Sequence, residues 1–334
     1  MYGTGTKKML NMLILDILRE YSDEDHRLTQ QDVINFLKIN YGMECERRAV
    51  KSNIDSLIEL GYDIASDKGY YLRTREFSES ELRLLIDSVF SSKSVSDREA
   101  HDITKKLEKF GSKYFKSHVS HVHSISSMNH TDNKESLKSI AAVDEAIARN
   151  RKISFIYMEY GIDKKMHPKR NMRYIVNPYQ MVSNNGKYYL IGNYDFYSNI
   201  ANFRLDRMTD VQILSEKRTP MKEIDGLENG LDIQKYMAEH VYMFSGESIF
   251  IKMQISEDLI GNVVDSFGKN FRITDVKDWK VQISLTCNPD AFFYWAMQYG
   301  LYVEVLEPVS MRERIRKACQ EIAAKYSAAE KEEK

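Results

Sequence analysis

The chain has 334 residues, with 48 Lys and Arg against 49 Asp and Glu and a formal net charge of -1. This length predicts two or three domains, and the balanced charge excludes a global basic field, so any site for a polyanion must be local. The three cysteines, Cys45, Cys287 and Cys319, form no C-x-x-C pair, which excludes a zinc ribbon or a disulfide framework. No apolar run approaches the roughly 20 residues of a membrane-spanning helix, and no signal-peptide pattern is present, so we expect a cytoplasmic protein with no membrane partner.

Residues 1–75 carry three helical patterns and a hairpin pattern. Apolar residues recur at three- and four-residue steps from Lys7 to Glu20, in "LTQQDVINFLKINYG" after an N-cap at Thr29, and in "CERRAVKSNIDSLIELG". "YDIASDKGYYL" then predicts two short strands around a Lys68-Gly69 turn. Three short helices followed by a hairpin predict a winged helix-turn-helix.

Residues 76–133 are predicted to be a helical connector and linker. Ser78 is suited to cap a helix, and a serine-rich break precedes a second helix that ends near residue 110. Residues 114–133 are polar and predict a linker or a weak strand. Their histidines, His118, His121 and His123, could share one side of a strand, but no nearby carboxylate or thiol completes a metal site. We therefore expect a polar linker and no metal.

The rest of the chain predicts a multidomain α+β protein. In residues 134–218, a helix precedes "KISFIYMEY", "RYIVNPYQMVS", "KYYLIGNYD" and "IANFRLDRMTDVQIL", which predict a small β-barrel or a strongly bent sheet. Residues 219–245 are predicted to be a linker. Residues 246–328 follow the order βαββαβ, which predicts a ferredoxin-like domain, and end in one more helix.

Polar and basic residues on the outer face of the third helix predict a DNA-binding surface. The residues are Arg47, Arg48, Lys51 and Ser52, and Lys68 in the wing would add a backbone contact. Arginine can bind guanine or phosphate through two parallel hydrogen bonds, and lysine suits phosphate. The alternative is a solvated helix face balanced by nearby glutamates. The position of the charges on a third helix before a wing favours DNA binding.

A second basic segment runs from residue 151 to residue 173. It holds seven Lys or Arg and only two acidic residues, with His167 among them. The cations are Arg151, Lys152, Lys164, Lys165, Lys169, Arg170 and Arg173. Concentrated positive charge beside a tyrosine-rich barrel is typical of proteins that bind single-stranded nucleic acid. A basic surface loop that only aids solubility is the alternative, and this composition favours neither.

The stretch "NFRLDR" raises a question of side-chain direction. In a strand, Phe203 and Leu205 point one way and Arg204 points the other way, whereas Arg207 has the opposite parity to Arg204. Both arginines can reach one ligand only if the strand bends or ends near Asp206. Otherwise Arg207 is better suited to a structural ion pair.

Three stretches, "VDEAIARNRKISFIYMEY", "VNPYQMVSNNGKYYLIGNYD" and "NFRLDRMTDVQIL", resemble the WYL domain of bacterial transcription regulators. Tyr188-Tyr189-Leu190 stand where that family has its name-giving Trp-Tyr-Leu. The flanking regions resemble the family's winged helix and its C-terminal extension. The resemblance covers nearly the whole chain.

The resemblance implies a DNA-binding regulator whose WYL domain is an Sm-like, SH3-type barrel that senses an effector. The implied partners are a double-stranded DNA operator, a single-stranded nucleic acid or nucleotide effector, and a second copy in a homodimer. No cofactor is implied. The implied ligand-binding residues are Tyr157, Tyr189, Arg204 and Arg207, and His167, Lys169 and Arg173 lie in the variable strand region before Pro178.

Tyr188 departs from the family's tryptophan, and we expect it to pack inside the barrel while Tyr189 points toward the site shared with Arg204. No G-x-S-x-G, H-E-x-x-H or G-x-G-x-x-G motif occurs, so we expect no enzymatic activity. A nucleotide-processing protein or a nucleic-acid-binding accessory protein that uses the same basic groove is the alternative function.

Overall fold

The protein is described by a computed structural model over residues 9–115 and 130–329. It forms two compact units, Met1–Lys134 and Glu135–Lys334. The first unit is mainly helical, and the second contains the larger sheets, so the chain is an α+β protein as predicted. In the described part of the chain, no helix is both long and apolar enough to cross a membrane.

The first unit begins with three helices, α1 (Leu10–Tyr21), α2 (Gln30–Tyr41) and α3 (Arg47–Glu59). Their inward positions form one apolar core, because buried residues recur at helical spacing on each helix. Strands β1 (Ile64–Ala65) and β2 (Tyr71–Leu72) follow as an antiparallel pair.

Local capping signals define the start and end of α2. The Thr29 side chain accepts a hydrogen bond from the backbone N–H of Asp32, whose carboxylate accepts from Thr29 in return. Gly42 ends the helix with a φ of +64°, a left-handed conformation that glycine adopts without strain. The predicted N-cap and helix stop are both confirmed.

Two further helices, α4 (Glu79–Ser91) and α5 (Asp97–Leu107), continue the first unit. Ser78 caps α4 as predicted, and Leu82, Ile86 and Phe115 form a small apolar cluster. Much of the predicted linker, including His118, His121 and His123, lies outside the described residues.

The second unit opens with α6 (Ser136–Ala148), which packs against an antiparallel sheet. Its strands are β3 (Arg151–Tyr160), β4 (Met166–Pro168), β5 (Tyr174–Asn184), β6 (Lys187–Tyr194), β7 (Ala201–Arg204) and β8 (Met208–Lys217). The strand order is β4-β3-β5-β6-β7, and β8 pairs with β3. Phe155, Val176, Leu190 and Phe203 fill the core between the sheet and the helix.

Residues 219–245 do not form the predicted linker. We call them the covering segment, because their apolar side chains pack against the face of the sheet opposite α6. Tyr236 and Met243 form a buried cluster with Val182 and Ile191. The segment includes α7 (Ile233–Glu239) and donates a hydrogen bond of 3.0 Å from the Tyr236 hydroxyl to the Asn202 side chain. The prediction of a linker was therefore wrong.

The last part of the chain is a second sheet with helices. Its elements are β9 (Ile249–Ser256), α8 (Ile260–Phe267), β10 (Arg272–Lys277), β11 (Lys280–Cys287), α9 (Pro289–Gln298) and β12 (Val303–Glu307). The antiparallel strands lie in the order β10-β11-β9-β12, and Trp295 and Phe292 of α9 are buried against them. Helix α10 (Val309–Ala329) completes the described chain.

Candidate functional site

The predicted DNA-binding residues of α3 lie on the surface. Arg47, Arg48, Lys51 and Ser52 are all exposed, whereas Val50 between them is fully buried. Lys68 is also exposed and has a φ of +57° in the turn between β1 and β2. No comparison tests a role in DNA binding, so that role stays a prediction.

Polar contacts link the starts of α2 and α3 and the wing turn. The Arg47 guanidinium donates a hydrogen bond of 3.2 Å to the Gln31 side chain. The neighbouring Gln30 donates one of 3.1 Å to the hydroxyl of Tyr70, which lies just before β2. Elements that would approach one duplex together therefore share one surface of the first unit.

In the second unit, β7 ends at Arg204, and a single 3₁₀ turn, Leu205–Arg207, connects it to β8. The strand therefore ends before Asp206. This is what the sequence required for Arg204 and Arg207 to reach one ligand. Arg204 and Arg207 both lie within electrostatic reach of the Tyr157 and Tyr189 hydroxyls. The four residues predicted from the family resemblance therefore lie in one cluster.

The two tyrosines approach Arg204 from different strands. The backbone N–H of Arg204 donates a hydrogen bond of 3.2 Å to the Tyr157 hydroxyl on β3. Tyr189 is the register partner of Arg204 on β6, so their side chains emerge on the same face of the sheet. Burial raises the pKa of both hydroxyls, and the positive charges of Arg204 and Arg207 oppose that rise. At neutral pH both tyrosines are therefore neutral hydrogen-bond donors.

The side chain of Arg204 is held by Asp206. Its Nε donates to one carboxylate oxygen at 3.0 Å, and its Nη2 donates to the other at 2.6 Å. Asp206 is almost fully buried, with 5% of its side chain exposed, and 22% of the Arg204 side chain is exposed. Burial disfavours the charged form of Arg204, but these hydrogen bonds outweigh it and raise the pKa. Arg204 thus carries a charge that Asp206 compensates.

Arg207 differs from Arg204 in the surroundings of its Nε atom. Its Nε is buried, and within residues 9–115 and 130–329 nothing accepts a hydrogen bond from it. The hydroxyl of Tyr174 is likewise buried without a partner among the described residues. The ring of Tyr174 lies 5.7 Å from that of Tyr157. Sequence reasoning missed Tyr174, because a tyrosine at the start of a strand gives no sign that its hydroxyl will lack a partner.

His167, Lys169 and Arg173 each contact a separate acidic residue. His167 Nε2 lies 2.9 Å from the Asp163 carboxylate, and Lys169 lies 2.7 Å from Glu159. Arg173 donates hydrogen bonds to the side chain and backbone of Asp210 and to the Ser154 carbonyl. No contact that the structure describes joins these three residues to Arg204 or Arg207, so their role in ligand binding stays a prediction.

Tyr188 does not pack inside the barrel as we expected. The residue is 39% exposed and does not belong to the apolar core that contains Leu190. Tyr189 instead packs in part against the cluster that Tyr236 and Met243 form with the outer face of the sheet. Tyr188 pairs with Ser183 near the end of the hairpin, and its exposure shows that the prediction for Tyr188 was wrong. The two rings do have different neighbours.

No group of three or more His, Cys, Asp or Glu within the described ranges is arranged to hold a metal ion.

The sequence alone indicated Asp206 only as the point near which the strand must bend or end, and not as the partner of Arg204. Its position two residues after Arg204 is the sequence signal that could have identified the ion pair, had the end of the strand been known.

The antiparallel sheet and the tyrosine and arginine cluster at the β7–β8 turn lie in the part of the chain that matches a known family. Residues 138–213 match the family model of the WYL domain, which confirms the resemblance predicted from the sequence. No curated protein matches the chain.

Two solved structures are similar to the whole chain. Proteasome accessory factor B/C (PafBC) of Arthrobacter aurescens is 16% identical with a TM-score of 0.28, and the match covers 95% of this chain and 48% of PafBC. A CRISPR Cas-related protein is 15% identical with a TM-score of 0.40, and the match covers 98% of this chain and 88% of that protein. The chain therefore spans about half the length of PafBC.

Proposed function

We propose that this protein is a transcription regulator that binds duplex DNA through α3 and binds a nucleic acid or nucleotide effector through its WYL domain. The observation that carries the proposal is the combination, in one chain, of a match to the WYL domain with an exposed basic face on α3, which shares one apolar core with α1 and α2. The proposed fold of residues 1–75 is a winged helix-turn-helix. The proposed folds of the second unit are an Sm-like barrel and a ferredoxin-like domain. The proposal includes no catalytic step.

The proposed DNA contact follows from the arrangement of α3. Val50, Ile54 and Leu57 hold the inner face of the helix in the core, so the opposite face is free to enter a major groove. Arg47 and Arg48 lie in the first turn, and recognition helices contact base edges through their N-terminal residues. Two such helices in a homodimer would read two half-sites about one helical turn apart.

The effector half of the proposal rests on the cluster at the β7–β8 turn. Two tyrosine hydroxyls and the Arg207 Nε, which has no acceptor among the described residues, offer donors for a negatively charged ligand. Tyr189 also contacts the covering segment, so a ligand at this cluster could shift the position of residues 219–245. This contact is the proposed start of the response to the effector.

DNA binding is tested with duplex fragments that the protein recovers from its native genome. Affinity for a recovered fragment is measured by fluorescence anisotropy over a series of salt concentrations, for the unmodified chain and for Arg47→Gln/Arg48→Gln. If both arginines contact phosphate, the slope of log K against log salt becomes shallower by about two per bound copy. Lys105→Gln/Lys106→Gln, which removes two exposed charges from α5, is the matched control and should leave the slope unchanged. Equal behaviour of the two double variants would rule out α3 as the DNA-binding helix.

A further inference from the structure

A groove runs beside β12 in the last part of the chain, outside the residues that match the WYL family model. It lies between β12, α10 and the turn that joins α9 to β12, and it encloses about 520 Å³. We propose that this groove binds an extended acidic peptide of another protein, which joins the sheet as a new strand beside β12. The open edge of β12 and the shape and charge of the opposite wall support this proposal.

The open edge of β12 supplies backbone groups for an added strand. β12 is the outermost strand beside β9, and no described residue of β9 lines the groove. The Tyr302 carbonyl accepts a hydrogen bond from the Ser256 N–H, so alternate residues of β12 direct their backbone groups toward β9. Those of Val303 and Val305 therefore point to the open edge, where no described residue bonds to them. Such groups are the ones to which an extended peptide adds.

The wall opposite β12 is one face of α10. Its groove residues recur at steps of three and four, and they are Arg312, Ile315, Arg316 and Cys319. The side chains of Val303 and Val305 pack against the apolar core of this domain. Residues of an added strand that lie opposite these valines project on the same face of the sheet, where they meet α10. Apolar side chains at these positions would contact Ile315.

The end of the groove also exposes apolar surface. Leu301 and Tyr302 are 94% and 59% exposed, and both line the groove at the turn before β12. Apolar side chains that are exposed together beside a groove are typical of protein interaction sites. A peptide longer than β12 would cover them.

The charge of the α10 wall favours an acidic peptide. Arg316 lies 2.7 Å from Glu313, whereas Arg312 is exposed and forms no ion pair with any residue that the structure describes. Glu304 has the opposite parity to the two valines, so its side chain projects from the other face of the sheet. A carboxylate on the α10 side of an added strand would therefore be attracted to Arg312.

The charge of β12 itself opposes a second copy of the chain as the occupant. A symmetric antiparallel pair of two β12 strands that bonds through Val303 and Val305 of both copies would set Glu304 opposite its own counterpart. Like charges directly opposite one another destabilise a pair of strands. The groove is therefore better suited to a peptide from another protein.

Fluorescence anisotropy of the full chain with a labelled peptide tests the proposal. The probe is Glu-Thr-Val-Thr-Val-Thr-Glu with blocked termini, in which the glutamates and valines share one face of a strand. We expect a micromolar dissociation constant. The valine amides would point toward β12, so methylation of both should lower the affinity about tenfold or more. Methylation of two threonine amides, which would point away from β12, is the matched control and should change it less than about twofold.

Variants of α10 test the charge and the position of the site. Arg312→Gln should lower the affinity for the probe about fivefold and leave that of the glutamine analogue unchanged. Lys317→Gln, which removes an exposed charge of α10 outside the groove, is its matched control. Cys319→Arg fills the groove with a long side chain and should abolish binding, whereas Ala324→Arg, exposed on α10 outside the groove, should not. All four positions are exposed, so the thermal midpoints should stay unchanged.

Three outcomes would overturn the proposal. Absence of binding, or equal effects of the two methylations, would exclude strand addition at β12. Equal losses for Arg312→Gln and Lys317→Gln would exclude a specific contact between Arg312 and a carboxylate. A dimer in light scattering that Cys319→Arg converts to a monomer, without binding of the probe, would assign the groove to an interface between two copies. DNA affinity should be unchanged in these variants, so the test is independent of the proposed function.

Discussion

The ion pair between Arg204 and Asp206 makes a strong prediction about local stability. Asp206→Asn keeps the size of the side chain but removes its charge and leaves Arg204 with one acceptor in place of two. Loss of one partner from a buried ion pair costs about 3–5 kcal/mol. Because 22% of the Arg204 side chain is exposed to solvent, which can stabilise it, we expect a cost near the lower limit, about 3 kcal/mol.

Local hydrogen exchange is the appropriate assay, because a chain with two compact units need not unfold in one transition. A loss of about 3 kcal/mol corresponds to roughly 150-fold faster amide exchange. The effect should appear in peptides that cover Lys187–Lys217 and be absent from peptides of the first unit.

A double-mutant cycle identifies the cause of the effect. Arg204→Met alone leaves the Asp206 carboxylate buried without its partner, so it should also accelerate exchange. The double variant Arg204→Met/Asp206→Asn should cost less than the sum of the single changes, with a coupling energy of about 2 kcal/mol. Exchange less than threefold faster in Asp206→Asn, or a coupling energy near zero, would refute the structural role assigned to this pair.

Three further predictions concern the second unit. Burial raises the pKa of Tyr236 to about 12. The unfolded chain loses this proton near pH 10, so stability should fall as pH rises from about 10 to 12, and Tyr236→Phe should lessen that fall in a pH series of thermal melts. Gly192→Ala would place a Cβ 2.6 Å from the Asn177 carbonyl oxygen and should cost about 2 kcal/mol by hydrogen exchange, whereas Gly261→Ala, with no atom within 4 Å, should not destabilise the protein. Tyr188→Trp restores the residue type of the WYL family at an exposed position, so a change in unfolding free energy above about 1 kcal/mol would contradict the observed exposure.

Signals that lie close together in the sequence predicted the local structure correctly. Thr29 and Ser78 are each followed three residues later by an acidic side chain, and both form capping boxes. These interactions depend only on neighbours within one helical turn, so no knowledge of the tertiary fold is needed to predict them. The four β-rich segments were also located, because strand periodicity and turn residues are local properties.

The covering segment was missed because its order comes from packing on distant strands. Its apolar residues follow no helical or alternating period, and Gly226 and Gly230 interrupt them, so the composition resembles a linker. The stabilising contacts join residues far apart in the sequence, as between Tyr236 and Asn202. Such contacts are specified by the shape of the sheet surface and cannot be predicted from local periodicity.

The ion pairs of the basic segment were missed for the same reason. Lys152 pairs with Asp195 and Arg173 pairs with Asp210, which are separated from them by 43 and 37 residues. Counting charges along residues 151–173 therefore overestimates the positive charge that a ligand would meet. The sequence predicted the cluster at the β7–β8 turn through a family resemblance. The charge of that cluster depends on the ion pair between Arg204 and Asp206, which requires knowing that the strand ends at Arg204.

The short turn after β7 explains how residues of opposite strand parity can serve one site. Had β7 continued through residue 207, Arg204 and Arg207 would project from opposite faces of the sheet. A 3₁₀ turn has three residues per turn, so side chains three positions apart project in nearly the same direction. The turn Leu205–Arg207 supplies this change immediately after Arg204, and both guanidiniums then influence the Tyr157 and Tyr189 hydroxyls. The same turn places Asp206 between the two arginines, where it compensates the charge of Arg204, while the Arg207 Nε has no acceptor among the described residues. The length of this turn therefore determines both the position and the net charge of the candidate site.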